Sequence, residues 1–109
     1  MSPMELEQFL ARIVNKLRDE YRPEKVILFG SYGHGTTDSG SDVDILIIKD
    51  TPARFIDRWA EVRRILSDSG RTMALDTIVL TPAEVSERLA RGDQFLAEIL
   101  HEGRLLYAA

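Results

Sequence analysis

Apolar residues near the amino terminus recur at the spacing of one helical face. The members of this face are Leu6, Phe9, Leu10, Ile13 and Leu17. Ser2 suits the N-cap of such a helix, Pro3 its first position and Glu5 the third, which completes a capping box. Pro23 follows the pattern at a place where it cannot continue a helix. We therefore predict a helix over residues 4–21.

Three later segments are rich in apolar residues that lack helical spacing, and they predict β-strands. They cover residues 25–29, 42–49 and 73–80. In the first segment the apolar residues do not alternate with polar ones, which is typical of a strand buried on both faces. Such a strand requires helices on both sides of its sheet.

A second helix is predicted over residues 52–69, with Gly70 just past its end. Its apolar stripe, which we assign to the core, consists of Phe55, Trp59, Val62 and Leu66. Its four arginines are interpreted as a solvated face; the alternative is that Arg54 or Arg58 reaches a triphosphate or a partner protein. These arginines are Arg54, Arg58, Arg63 and Arg64.

Two short helices and a strand complete the predicted elements. Thr81, Pro82 and Glu84 form a helix start of the N-cap and proline type, and this helix extends to about residue 90. Asp93 caps a last helix over residues 94–102, which Gly103 ends, and residues 104–107 add an edge strand. The prediction is a small α/β (α+β) fold with a mixed sheet flanked by helices, forming a single domain over residues 1–109.

The composition narrows the classes of function. The chain has 109 residues, of which 44% are hydrophobic and 29% charged, and its net charge is −4. It contains no cysteine, which excludes disulfides, thiol catalysis and cysteine metal sites. We expect no signal peptide and no membrane span, and a cytoplasmic location. The acidic balance argues against direct nucleic-acid binding as the main task.

Polar residues suited to phosphate and metal binding lie between the first two predicted strands. Asp42 and Asp44 share one face of a strand, with Cα atoms roughly 6.5–7 Å apart. Two carboxylates at that distance repel each other, and a divalent cation such as Mg²⁺ removes the repulsion. Gly30 permits close approach of a ligand, and Ser31 adds a hydroxyl beside backbone N–H donors. This combination suggests chemistry on a nucleoside triphosphate.

Other interpretations of these residues remain open. Gly30-Ser31 alone could be an ordinary turn, and the aspartate pair could face solvent at the start of a strand. The loop lacks the lysine of a P-loop, and the strand that follows it does not fit a dinucleotide-binding motif. Asp76 interrupts an apolar strand, so it is either a third metal ligand or the partner of an arginine such as Arg71.

Taken together, these motifs resemble the nucleotidyltransferase superfamily of polymerase-β type. Its signature is Gly-Ser, about ten residues, then Asp-x-Asp, with a third aspartate on a later strand. Here the matching residues are Gly30, Ser31, Asp42, Asp44 and Asp76. The lack of a further predicted domain makes the chain similar to the minimal nucleotidyltransferase (MNT) branch. Relatives often carry arginine where His34 stands.

The resemblance implies an activity and a partner. It implies an ATP-using prokaryotic nucleotidyltransferase in which two Mg²⁺ ions are held by Asp42, Asp44 and Asp76, while Gly30 and Ser31 bind the nucleotide. Such minimal members often serve as antitoxins that form a hetero-oligomer with a HEPN-domain ribonuclease toxin, and some add AMP to a toxin tyrosine. The alternatives are a non-catalytic module that occludes its partner, and an enzyme modifying small molecules such as aminoglycosides.

Overall fold

The computed structural model describes residues 2–30, 42–68 and 74–109. The elements in these ranges are α1 (Pro3–Glu20), β1 (Lys25–Phe29), β2 (Val43–Ile48), α2 (Phe55–Ile65), β3 (Leu75–Leu80), α3 (Pro82–Ala90), α4 (Gln94–Glu102) and β4 (Arg104–Ala108). No helix in the described ranges is long and apolar enough to cross a membrane. Ser31, His34, Gly70 and Arg71 lie outside the described residues.

The described strands form one mixed sheet in the order β3-β2-β1-β4. β1 is antiparallel to both β2 and β4, whereas β2 and β3 are parallel. The parallel pair needs a crossover connection, and α2 lies in that connection. The mixed α+β sheet with flanking helices confirms the predicted fold class, and β4 is the predicted edge strand.

Both faces of the sheet are covered, as the unbroken apolar strands predict. α1 and α2 pack on one face, where Phe9, Ile45 and Val62 are buried. α3 and α4 cover the other face, where Leu46 and Leu96 are buried. Alternate residues of β2 point to opposite faces, so β2 contributes to both cores.

The predicted starts of α1, α3 and α4 are confirmed, whereas α2 begins at Phe55 and not at the predicted Pro52. The Ser2 hydroxyl accepts a hydrogen bond from the Glu5 N–H at 3.1 Å, and the Glu5 carboxylate accepts one from the Ser2 N–H at 3.4 Å. Thr81 and Glu84 form a second capping box at the start of α3. Asp93 caps α4 by accepting from the Leu96 N–H at 3.0 Å. These local bonds fix where each helix begins.

The interpretation of α2 was wrong in two respects. Phe55 and Trp59, assigned to the core, are 47% and 39% exposed. Arg58, assigned to a solvated face, is only 5% exposed. Its guanidinium finds partners inside the fold: it donates to the Val79 carbonyl at 3.0 Å and to the Glu84 carboxylate at 2.6 Å. Because these partners satisfy the charge, α2 is rotated so that arginine rather than tryptophan faces the sheet.

Candidate active site

The sheet brings the three predicted aspartates to one place. Asp42 immediately precedes β2, Asp44 is its second residue, and Asp76 is the second residue of β3. The parallel register pairs Asp44 directly with Asp76. Paired residues of neighbouring strands point to the same face, so all three carboxyl groups lie at one end of the sheet.

The pKa values of Asp42 and Asp44 are both raised at this end of the sheet. A hydrogen bond with Asp76 is the main cause that raises the pKa of Asp42, and partial desolvation and the Asp76 charge raise it further. Partial burial is the main cause that raises the pKa of Asp44, followed by the charges of Asp76 and Asp42. The cluster therefore disfavours three full negative charges.

The donor atoms of this cluster match a hard divalent cation. All are carboxylate oxygens, which Mg²⁺ prefers, and a cation would offset the repulsion that raises the pKa values of Asp42 and Asp44. Across residues 2–30, 42–68 and 74–109, however, no three acidic or histidine side chains already stand in an arrangement that could hold a metal ion. Holding a metal would thus require these aspartate side chains to turn toward it.

Gly30 stands directly against this cluster. Its φ is +74°, and a Cβ atom at this position would lie 2.4 Å from Asp44 Oδ2. The register explains the contact, because Phe29, the last residue of β1, pairs with Asp44. Glycine is therefore required for two reasons, the left-handed backbone and the close approach. Ser31, the other predicted nucleotide-binding residue, lies outside the described residues.

A cavity of about 320 Å³ opens beside Asp44, between the end of β1 and helix α4. Its lining consists of Phe29, Gly30, Asp44, Phe95, Glu98, Ile99, Glu102 and Gly103. The rings of Phe29 and Phe95 meet edge to face, with centroids 5.8 Å apart. Our sequence reasoning missed Phe95 and Glu98. Their spacing places them on one helical face, but the spacing does not show which surface that face meets.

A second cavity of about 460 Å³ reaches Asp76 from the opposite side, between α2 and β3. Arg63 lines it and donates to the Leu75 carbonyl at 3.4 Å. Arg63, one of the four arginines assigned to a solvated face, thus lines the same cavity as Asp76. No salt bridge joins it to Asp76 in the described part of the chain.

The family model for the nucleotidyltransferase domain matches residues 10–107. Among curated proteins, the chain is 31% identical over 106 residues to "Putative protein adenylyltransferase MJ0604" of Methanocaldococcus jannaschii, covering 95% of this chain and 100% of that protein. Both matches include Gly30 and the three aspartates in their span. A protein of the same size thus shares nearly the whole length of this chain.

Solved structures share the fold. The crystal structure described as "a putative nucleotidyltransferase from Sulfolobus solfataricus" matches 96% of this chain and 82% of its own, with a TM-score of 0.67 at 21% identity. A toxin-antitoxin crystal structure with AMP-PNP matches 92% and 73%, with a TM-score of 0.63 at 25% identity.

A complex of tri-AMPylated Shewanella oneidensis HEPN toxin with MNT antitoxin also matches, over 94% of this chain and 72% of that chain, with a TM-score of 0.55 at 19% identity. At this level of identity the likeness concerns the fold. The family model and the curated relative go further, because they align nearly the whole sequence. On that basis the chain belongs to the nucleotidyltransferase domain family, and it is a nucleotidyltransferase.

Proposed function

We propose that this chain is a Mg²⁺-dependent adenylyltransferase and an antitoxin, which transfers AMP from ATP to a tyrosine of a HEPN-domain ribonuclease toxin. The observation that carries the proposal is the convergence of Asp42, Asp44 and Asp76 beside Gly30 in a nucleotidyltransferase domain. The acceptor and the partner are supported by the curated adenylyltransferase relative and by the fold shared with toxin-antitoxin complexes.

The proposed reaction is a displacement at the α-phosphorus of ATP. The tyrosine oxygen forms a bond to the α-phosphorus, the bond from that phosphorus to the bridging oxygen breaks, and pyrophosphate leaves. The phenol proton is released, so the products are an AMP-tyrosine ester, pyrophosphate and a proton. Both the entering and the leaving oxygen carry negative charge during this displacement.

Each residue of the site has a proposed role. Asp42, Asp44 and Asp76 would hold two Mg²⁺ ions, which when bound stabilise charge on the entering and leaving oxygens. Gly30 leaves room for phosphate oxygens to approach the backbone next to Asp44. Ser31 would add a hydroxyl donor to the β- and γ-phosphates, a role that rests on the family resemblance.

The experiment uses ATP labelled on the α-phosphate, Mg²⁺, this chain and a HEPN-domain protein encoded beside it. We expect label on the partner, no label when the γ-phosphate is labelled instead, and no transfer with Asp44→Asn. Asp50→Asn is the matched control, because Asp50 is an exposed aspartate that follows β2. If the chain binds and inhibits the partner but transfers no label to it, the proposal is wrong, and the chain is a non-catalytic antitoxin that occludes its partner.

A further inference from the structure

We propose that the cavity beside Asp44, between β1 and α4, receives the acceptor of the transfer reaction, an aromatic side chain with a hydroxyl group. In this assignment Phe95 supplies the surface on which the ring rests, and the Glu98 carboxylate accepts the hydrogen bond of the hydroxyl. The inference rests on the proposed function, because it names the binding place of the group that accepts AMP.

The apolar part of the cavity fits a ring. Phe95 is 59% exposed although it is a large apolar residue, and its ring meets that of Phe29 at 86°. Aromatic rings gain from edge-to-face and offset contacts with a further ring, beyond the area that they bury. An aromatic side chain from another protein would cover the exposed part of Phe95 and continue the existing ring contact.

The cavity offers a hydrogen-bond acceptor to a hydroxyl group. Glu98 lies in the cavity wall on α4, and a carboxylate is a strong acceptor for an O–H group. Within the described part of the chain Glu98 forms no salt bridge, so its carboxylate is available for that bond.

The position of the cavity favours the acceptor over the nucleobase. Asp44 forms part of the cavity wall and is one of the proposed metal ligands. The attacking oxygen must reach the α-phosphorus at this site, whereas the nucleobase is separated from that phosphorus by the ribose. A cavity that contacts Asp44 itself is therefore placed where an acceptor oxygen is needed.

The wall of the cavity is held in place by Gly103. A Cβ atom there would lie 2.4 Å from the Ile99 carbonyl oxygen and 2.6 Å from Ile27 Cγ2. Glycine thus allows the end of α4 to approach β1, which fixes the face that bears Phe95 and Glu98. The cavity is set by backbone packing, so we expect it to exist before any ligand binds.

The first experiment tests occupancy with p-cresol, a small phenol that mimics the tyrosine side chain. The isoleucine methyl groups of the full chain are labelled for NMR, and Ile99 in the cavity wall is the reporter. We expect p-cresol to shift the Ile99 signal in a saturable manner and adenosine to leave it unchanged. An Ile99 shift with adenosine that p-cresol reverses, or no shift with p-cresol, overturns the proposal.

Variants of the two phenylalanines sharpen this test. We expect Phe95→Ala to weaken p-cresol binding about tenfold, in line with the loss of an aromatic contact and its buried area. Phe55→Ala is the matched control, because Phe55 is a comparably exposed phenylalanine on α2, outside the cavity. Phe95→Leu keeps the apolar bulk and serves if Phe95→Ala disturbs the fold. Equal affinity in Phe95→Leu and the unchanged protein would rule out a ring contact.

The role of Glu98 is tested separately. We expect Glu98→Ala to weaken p-cresol binding about tenfold, the size of a lost hydrogen bond to a charged acceptor. Glu61→Ala, at an exposed glutamate of α2, should leave it unchanged. If p-cresol binds as described but no AMP is ever transferred, the proposed function fails while the aromatic site stands. If AMP is transferred but the affinity for p-cresol is the same in Phe95→Ala, Glu98→Ala and the unchanged protein, only this inference fails.

Discussion

The two ends of strand β3 handle charge in opposite ways. At its carboxyl end, Arg58 and Glu84 form an ion pair, and the Arg58 guanidinium also donates a hydrogen bond to the Val79 carbonyl of β3. Near its amino end, Asp76 stands beside two further carboxyl groups, and no described lysine or arginine forms a salt bridge with it. We call the end of β3 at Arg58 and Glu84 the compensated end, because its charges are paired, and the end at Asp76 the uncompensated end.

The compensated end leaves few polar atoms without partners. Arg58 Nε donates to the Ala53 carbonyl at 2.8 Å, and its two terminal nitrogens reach Glu84 at 2.6 and 3.1 Å. Glu84 also accepts from the Thr81 N–H at 2.8 Å, so the pair is part of the cap of α3. Its bond to Arg58 is the main cause that lowers the pKa of Glu84 to about 2. This pair joins α2, β3 and α3.

The uncompensated end is costly to the isolated fold, because the pKa values of Asp42 and Asp44 are both raised there, that of Asp42 mainly by a hydrogen bond with Asp76 and that of Asp44 mainly by partial burial. A charge cluster that weakens the fold is reasonable where a ligand is meant to neutralise it. Charges that serve the fold are paired within it, whereas the charges of the proposed site are left for a bound cation.

The largest effect is expected when a charge is removed from the uncompensated end. We expect Asp76→Asn to reduce AMP transfer at least about a hundredfold, since a lost metal ligand costs about 2.7 kcal/mol or more of barrier. The melting temperature of the metal-free variant should stay the same or rise, because repulsion is relieved. Asp50→Asn should change neither quantity. A variant that melts several degrees lower but keeps its transfer rate would contradict the role of Asp76.

Ligand binding should compensate this end from outside. We expect Mg²⁺ with a non-hydrolysable ATP analogue to stabilise the protein by about 2.7 kcal/mol at a hundredfold excess over Kd, because only the folded state binds. Thermal unfolding with each ligand alone and with both measures the effect. Asp44→Asn should lose most of it. An unchanged melting curve in the unsubstituted protein, with both ligands present, would contradict the site.

Breaking the compensated end should affect stability and not chemistry. We expect Arg58→Ala to lower the free energy of unfolding by about 2–3 kcal/mol, because Glu84 and the Val79 carbonyl lose a buried partner. Urea denaturation measures this loss. Arg54→Ala is the control, because the Arg54–Asp57 pair is exposed and its loss should leave the free energy of unfolding nearly unchanged. Transfer activity per folded molecule should be unchanged in both variants.

Two glycines allow the tight packing around Asp44 to be measured. Gly30 and Gly92 both have positive φ, but a Cβ atom at Gly92 would have no neighbour within 4 Å. We expect Gly30→Ala to destabilise the protein by about 1–2 kcal/mol more than Gly92→Ala, which bears only the backbone strain. Adding Asp44→Ala should remove that difference. A difference that persists in the double variant would place the steric conflict elsewhere.

The smallest effect concerns pH. The pKa of Glu84 is about 2 in the folded state and 4.5 ordinarily, so its ionised form stabilises the fold above about pH 4.5. This contribution is lost as the pH falls from 4.5 toward 2. We expect the unchanged protein to exceed Glu84→Gln in stability by no more than about 1 kcal/mol at pH 6, since Glu84 is partly exposed. Urea titrations should show the gap closing at low pH; a constant gap would contradict the assignment.

Local features were predicted well from the sequence because their causes lie close together in the chain. The N-caps predicted at Ser2, Thr81 and Asp93 are confirmed, since each bond spans only three residues. The strands were also predicted within two residues of their ends, because unbroken apolar runs have few alternatives inside a sheet. The prediction of the buried face of α2 was wrong, because the pattern of apolar positions does not show that Arg58 pairs with Glu84, a residue far away in the sequence.

By itself the sequence placed Asp42 and Asp44 two residues apart at the start of a strand, where alternate side chains share a face, although β2 begins at Val43, after Asp42. It also determined the helix caps and, through the resemblance, a third aspartate. Only the tertiary structure decided that Asp76 pairs with Asp44, that Gly30 stands against the same carboxylate, and that α4 forms a cavity there. These contacts join segments far apart in the chain. Their geometry depends on strand order and helix rotation, which are set by the packing of the whole sheet.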